Sequence, residues 1–194
     1  MMDVPNCLLK AIRDYRAQHA LPQPFSECLD RLEAQGFSLL REPAASDRGV
    51  RWHAAGFVVH YVALALDDHR VSEREMGNIL ALKRIYRLDE GDLLALQRQA
   101  IADLLRLETA KLLADERVDD LELMHQADLQ RALGLGYDEY LRLTRDSIRP
   151  VVEQMLEEAR GGSGQRQDEI IRRLQALQTV LRVDRATMTA IWPD

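Results

Sequence analysis

Cysteine, proline and aromatic residues are all scarce in this sequence of 194 residues. The two cysteines, Cys7 and Cys28, form no CxxC pair, so neither a disulfide framework nor a cysteine-based zinc site is indicated. Only 5% of the residues are aromatic and six are proline, whereas 46% are hydrophobic. That balance favours an α-helical protein with a sizeable core over a β-sandwich.

The sequence also lacks the motifs of common catalytic and nucleotide-binding sites. It contains no GxSxG elbow, no P-loop and no GxGxxG fingerprint. The net charge of −6 repels phosphate backbones, so we expect no nucleic-acid partner. The longest apolar run, residues 54–66, is too short to span a bilayer, and the N-terminus lacks a signal-peptide pattern. We therefore expect a cytoplasmic protein without membrane insertion.

A stretch around Asp68 returns 47 residues later around Asp115. Both copies open a segment whose apolar residues follow helical spacing. Further aligned pairs at the same offset are Arg70 and Arg117, Val71 and Val118, Glu75 and Glu122, Leu82 and Leu129, and Leu88 and Leu135. We predict an all-α, multi-helix bundle of internally repeated helical units, with roughly nine to ten helices.

Three regions are predicted along the chain. They are an N-terminal helical extension (1–48), a repeat core (49–160) and Gly-linked C-terminal helices that complete a third repeat (161–194). The extension is expected to end in a linker, Arg41 to Arg48, because that segment is rich in alanine, proline and serine. The core is expected to begin with a central, largely buried helix from about Arg51 to Leu66.

Two further predictions concern the C-terminal half. Pro150 is expected in the first turn of a new helix, Ser147 to Arg160, because an interior proline costs about 3 kcal/mol. The amphipathic C-terminal helix is interpreted as a lid over the bundle. The alternative is that this helix undocks or swaps between two protomers, which would give a homodimer.

The acidic loops between the repeated helices admit a metal-binding interpretation. Asp68 and Glu75 fall at the fifth and twelfth positions of a calcium loop, and Asp115 and Glu122 repeat that placement. The first and third positions are not acidic, and His69 and Glu116 replace the usual glycine. Because Ca²⁺ takes about six to eight oxygen ligands, a divalent site here would have to be shared between loops.

Helix capping explains the same residues more completely. Ser72-x-x-Glu75 has the form of a capping box, with Val71 and Met76 as its hydrophobic staple, and Asp119-x-x-Glu122 repeats the box. This interpretation leaves four acidic residues of the loops available to a partner protein: Asp67, Asp68, Asp115 and Glu116. His53 and His60, seven residues apart on one helix, are interpreted as half-buried packing residues.

The segment from Ala63 to Glu75, followed by Leu82-Lys83-Arg84-Ile85-Tyr86-Arg87-Leu88, resembles the tellurite-resistance TerB-like family, which is related to the TerB-like region of DjlA-type co-chaperones. The resemblance covers about residues 51–158. It implies an all-helical bundle of repeated units with acidic surfaces that bind divalent cations. It also implies roles in stress resistance or phage defence through protein contacts near the membrane. The corresponding acidic positions are Asp68, Glu75, Asp115 and Glu122.

We therefore expect a non-enzymatic interaction or scaffold protein that binds another protein through its acidic loops, with association to a peripheral membrane complex as one form of that role. Three alternatives stay open. They are a divalent-cation sensor that takes Ca²⁺ or a similar ion, an immunity-type or regulatory protein that neutralises a basic partner, and a hydrolase whose paired carboxylates come from Asp67, Asp68, Asp115 and Glu116. No catalytic residue is assigned, and only the sensor alternative requires a cofactor.

Overall fold

The computed structural model describes residues 5–66, 71–114, 120–161 and 164–180, and all regular structure in these ranges is helical. The α-helices are α1 (Asn6–Gln18), α2 (Gln23–Gln35), α3 (Arg48–Ala65), α4 (Glu73–Ile85), α5 (Asp92–Ala114), α6 (Asp120–Leu133), α7 (Tyr137–Gly161) and α8 (Gln165–Val180). Two short 3-10 helices, Gly36–Ser38 and Pro43–Ser46, lie between α2 and α3. The predicted all-α, multi-helix fold is confirmed.

The chain forms two compact units. The first consists of residues 1–101 and 128–135, and the second of residues 102–127 and 136–194. Helix α5 contains one residue with non-helical dihedral angles, Gln97, where the helix kinks. Within the described ranges, none of the helices combines the length and hydropathy that spanning a bilayer requires.

Helix α3 is the centre of the first unit. Helices α1, α2 and α4 all pack against it. Its buried side chains cover most of its circumference: Val50, Ala54, Ala55, Phe57, Val58, Val59, Tyr61, Val62 and Ala65. The Asp47 carboxylate accepts a hydrogen bond from the Val50 N–H at 2.9 Å, so the helix begins at Arg48. The predicted central helix is confirmed, and its cap lies slightly earlier in the chain than expected.

The predicted linker from Arg41 to Arg48 is wrong, because this segment is packed against the first unit. The Glu42 N–H donates to the Ile85 carbonyl at 2.9 Å, and Glu42 is only 1% exposed. Its carboxylate accepts two hydrogen bonds from Arg31. A composition typical of linkers gave no sign of this pairing, which joins residues 11 positions apart across a turn of the chain.

The two copies of the 47-residue repeat also end alike. Each helix closes with a 2.9 Å hydrogen bond from a leucine N–H to the carbonyl five residues earlier, Leu88 to Lys83 after α4 and Leu135 to Gln130 after α6. The residue before each leucine has a positive φ, 53° at Arg87 and 68° at Gly134. This is the hydrogen bond and left-handed residue of a Schellman turn. The sequence repeat is therefore a repeat of local structure.

In the second unit, α7 packs against α8, where Ile170 and Leu174 are buried. Helix α7 is continuous from Tyr137 to Gly161, so the predicted helix start near Pro150 is wrong. Proline lacks an N–H and removes the hydrogen bond to the carbonyl four residues earlier, yet α7 continues on both sides of it. The predicted third repeat runs into residues 181–194, which lie outside the described residues.

Candidate functional site

The acidic loops lie largely outside the described part of the chain. Asp67, Asp68, Asp115 and Glu116 all belong to the ranges that the structure does not describe. Glu122 lies in α6, and Glu75 lies in the first turn of α4. Of the residues predicted to bind metal or a partner, Glu75 is therefore the one whose side-chain contacts are defined.

Glu75 forms the predicted capping box with Ser72. Its Oε2 accepts hydrogen bonds from the Ser72 N–H at 2.9 Å and from the Ser72 hydroxyl at 2.6 Å. In return the Glu75 N–H donates to the Ser72 hydroxyl oxygen at 3.3 Å. Val71 and Met76, the predicted staple residues, are both buried. The capping interpretation is confirmed for the first copy.

The capping box uses the carboxylate that the calcium-loop interpretation needs as its twelfth-position ligand. A Glu75 side chain turned back onto the Ser72 amide and hydroxyl satisfies the N-terminus of α4. Within ranges 5–66, 71–114, 120–161 and 164–180, no three side chains of histidine, cysteine, aspartate or glutamate converge to hold a metal ion. The shared metal site stays a prediction, because Asp68 and Asp115 lie outside those ranges.

A second candidate site is a cluster of aromatic and imidazole rings between α1 and α3. Tyr15 is its centre, with the ring of His19 at a centroid distance of 4.2 Å and that of His60 at 5.4 Å. The Tyr15 hydroxyl donates to the His53 carbonyl at 3.2 Å. The His53 ring stacks on Phe25 of α2 at 5.5 Å. The rings of His19 and His60 therefore contact one buried tyrosine, and His53 contacts it through its backbone carbonyl.

The electrostatics of this cluster disfavour positive charge on two of its imidazoles. Burial lowers the pKa of His53 below its ordinary 6.5, and the nearby His19 adds to that effect. Burial also lowers the pKa of His60, which Asp14 partly offsets and His19 reinforces. Burial raises the pKa of Tyr15 to about 12, so its hydroxyl stays protonated. The predicted packing role of His53 and His60 agrees with this half-buried setting.

Gly56 on α3 allows Tyr15 to approach the helix closely. A Cβ at Gly56 would lie 2.6 Å from the Tyr15 hydroxyl oxygen and 3.4 Å from Nε2 of Gln97. The Gln97 amide donates to the Trp52 carbonyl at 2.7 Å. Both side chains thus reach the backbone of α3 beside a residue that has no side chain of its own.

We expect Gly56→Ala to lower the free energy of unfolding by about 1 kcal/mol, because overpacking against a fixed tyrosine outweighs the gain in helix propensity. The matched control is Gly77→Ala on α4, where a Cβ would meet no atom within 4 Å. That substitution should raise the free energy of unfolding by up to about 1 kcal/mol. Urea unfolding followed by circular dichroism measures both. If both substitutions changed the free energy of unfolding by the same amount and in the same direction, the close approach of Tyr15 to Gly56 would be contradicted.

A buried polar cluster joins α2 to the segment before α3. Arg31 donates to both carboxylate oxygens of Glu42, from Nε at 3.0 Å and from Nη2 at 2.7 Å. The Cys28 thiol donates to the Pro24 carbonyl at 3.0 Å, and burial followed by the Glu42 charge raises its pKa to about 11. Such a thiol is protonated near neutral pH and is a poor nucleophile. The cluster therefore has a structural role, which is to hold α2 against the segment before α3.

A smaller polar contact ties α1 to α3 and α4. The Asn78 amide donates to the Tyr61 hydroxyl at 2.9 Å, and the Cys7 sulfur lies 3.3 Å from the same hydroxyl oxygen. Cys7 and Cys28 are both free thiols, as expected. This contact gives α1 a second attachment to the unit, separate from the ring cluster.

The sequence does not predict the ring cluster as a unit. His53 and His60 were singled out as packing residues, but nothing in the sequence pairs them with Tyr15 or His19, which lie more than 30 positions away. Helical spacing places residues on one helix and gives no information about the facing helix. Comparisons with models of protein families, with curated proteins and with solved structures found no match to this chain.

Proposed function

We propose that this protein is a cytoplasmic, TerB-like interaction or scaffold module that binds another protein through its acidic loops. Those loops are defined here by Asp67, Asp68, Asp115 and Glu116. The proposed role is in stress resistance or defence, and it requires no chemistry beyond recognition.

The observation that carries the proposal is the Ser72–Glu75 capping box. Both interpretations of the acidic loops need Glu75, one as a metal ligand and the other as a cap, and its Oε2 accepts two hydrogen bonds from Ser72. A carboxylate engaged in this way supports capping over metal binding. Capping does not use the loop carboxylates Asp67, Asp68, Asp115 and Glu116. The simplest role for them is to bind a basic surface of a partner protein.

The 47-residue repeat also supports this proposal. Helices α4 and α6 begin 47 residues apart and end in the same type of turn. Equivalent helices would present equivalent acidic loops, one per repeat, in which Asp68 corresponds to Asp115. Two acidic loops on a chain with a net charge of −6 would attract a basic partner protein and repel acidic proteins.

The test is affinity capture from an extract of the native cell with the full chain as bait. We expect charge reversal in both loops, Asp68→Lys with Asp115→Lys, to weaken the captured partner's binding about tenfold or more, because each lysine would face a basic surface. The matched control reverses two exposed acids elsewhere, Glu27→Lys on α2 with Glu153→Lys on α7, and has the same net charge. The control should keep the partner.

A partner that binds the loop variant and the control variant equally would refute the acidic-loop interface. Calorimetric titration with Ca²⁺, Mg²⁺ and Mn²⁺ distinguishes the cation-sensor alternative from protein recognition. Saturable heat that disappears in the Asp68→Lys, Asp115→Lys variant would favour that alternative over protein recognition.

A further inference from the structure

We infer that the imidazoles of His19 and His60 at Tyr15, with His53 beside them, form an acid-sensitive contact between the C-terminal end of α1 and α3, so that mild acid releases this end of α1. This inference is independent of the acidic loops. It rests on the contacts that His19, His60 and the carbonyl of His53 make with one buried tyrosine, and on the buried Nε2 of His60, which has no hydrogen-bond partner among the described residues.

The contact is built from both helices. Tyr15 lies on α1, His19 directly follows the last residue of α1, and His53 and His60 lie on α3. Tyr15 is 4% exposed, and its hydroxyl is attached to α3 through the His53 carbonyl at 3.2 Å. The Tyr15 ring also contacts Phe57 of α3 edge to face at 5.4 Å. Displacing Tyr15 would therefore detach the C-terminal end of α1, while Leu8, Ala11 and Ile12 are the other buried residues of the helix.

His60 is the residue on which protonation acts most directly. Its Nε2 is buried and has no hydrogen-bond partner among the described residues. In the neutral imidazole this nitrogen can be an unprotonated acceptor, but in the imidazolium both nitrogens carry protons. A buried N–H donor without an acceptor is strongly disfavoured, so protonation favours movement of His60 and Tyr15 apart.

The surrounding charges determine the direction of the effect. The charged groups that act on His60 are Asp14 on α1 and His19 directly after it, and His19 also acts on His53. Helix α2 contributes the apolar ring of Phe25, and α5 contributes the neutral amide of Gln97. Apart from Asp14, these neighbours offer no negative charge to stabilise an imidazolium.

The sign of the pH dependence follows from these shifts. His53 and His60 have pKa values in the folded unit below their ordinary 6.5, so the released state binds more protons. Their stabilising contribution is complete above pH 6.5 and is lost as the pH falls from there through the folded values. Acid therefore weakens the contact between α1 and α3.

Hydrogen–deuterium exchange of the full chain, corrected for intrinsic rates, tests the inference. Between about pH 7.5 and about pH 5.5, we expect amides of α1 to lose about tenfold in protection while those of α4, in the same unit, change little. Unchanged protection of α1, or an equal loss in α1 and α4, would overturn a local release.

Three variants separate titration from simple loss of packing. His60→Gln should reduce the acid-induced loss of protection in α1, because it removes the buried imidazole. His19→Gln should also reduce it, because it removes a charge that lowers the pKa of His53 and His60. Asp14→Asn should increase that loss, because it removes the one negative charge that faces His60. His19 is exposed, so its substitution tests the inference even where a change at His60 impairs folding. An acid response that stays the same in His19→Gln and Asp14→Asn would refute it.

Discussion

Replacing Arg31 with methionine is expected to lower the free energy of unfolding by about 3 kcal/mol, because the substitution leaves a buried carboxylate without its cation. Glu42 has a fully buried side chain, which also accepts a hydrogen bond from the Ala44 N–H at 3.1 Å and interacts with the neutral Cys28 thiol. One backbone donor does not replace two charge-assisted hydrogen bonds. Urea unfolding at neutral pH, followed by circular dichroism, measures the loss.

Arg16→Met is the matched control. The Arg16 and Arg31 side chains are exposed to a similar degree, 31% and 37%. Their partners differ, because Asp30, which pairs with Arg16, is 64% exposed whereas Glu42 is 0% exposed. Exposed pairs contribute about 1 kcal/mol or less, so the control should lose much less stability. Equal losses would show that burial of the carboxylate does not determine the effect.

The pH dependence of the Arg31→Met effect has a definite sign. Burial alone would raise the pKa of Glu42, but the hydrogen bonds from Arg31 and Ala44 and the Arg31 charge hold it below its ordinary 4.5. The contribution of Glu42 is therefore present above pH 4.5 and is lost as the pH falls through the folded value. The stability difference between the natural chain and Arg31→Met should narrow over that range. A double variant, Arg31→Met with Glu42→Gln, should recover most of the loss at neutral pH.

Leu82→Ala and Leu129→Ala are each expected to lower the free energy of unfolding by about 3 kcal/mol, because each leaves a cavity in a packed core. These leucines occupy the same position in the two copies of the repeat, 47 residues apart, and both are fully buried. Leu82 lies on α4 and Leu129 on α6, and both belong to the first compact unit. Denaturant unfolding of the full chain measures both effects.

Leu80→Ala provides the control on the same helix as Leu82. Leu80 is 45% exposed, so truncation removes little buried surface and should change stability by about 0.5 kcal/mol or less. A loss at Leu129 no larger than that at Leu80 would contradict the structural equivalence of the two copies.

The sequence predicted the local features well, because those features depend on near neighbours. A capping box joins residues three positions apart, and Ser72 with Glu75 forms one as predicted. The fold class follows from helical periodicity, and the central α3 follows from an apolar surface around most of its circumference. The 47-residue repeat likewise appears in the structure as matching helix starts and matching turns.

The wrong predictions concern two segments whose structure differs from the one that their residue types favour locally. Pro150 predicted a helix start, yet α7 continues through it, because one missing hydrogen bond is a small part of a 25-residue helix. The segment from Arg41 to Arg48 was predicted to be a linker, yet Glu42 is buried against Arg31. In the second case a specific tertiary contact decided the outcome.

The sequence by itself determined the helical class and the cap that starts α4, since each depends on residues within a few positions of one another. It also determined the repeat, because the same local pattern recurs 47 residues later. Only the tertiary structure decided that Glu42 would be paired, that Gly56 would face Tyr15, and that three histidines would share one contact between α1 and α3. Those contacts join residues up to 45 positions apart. They depend on how helices pack, and the periodicity of one helix does not specify which residues the facing helix presents.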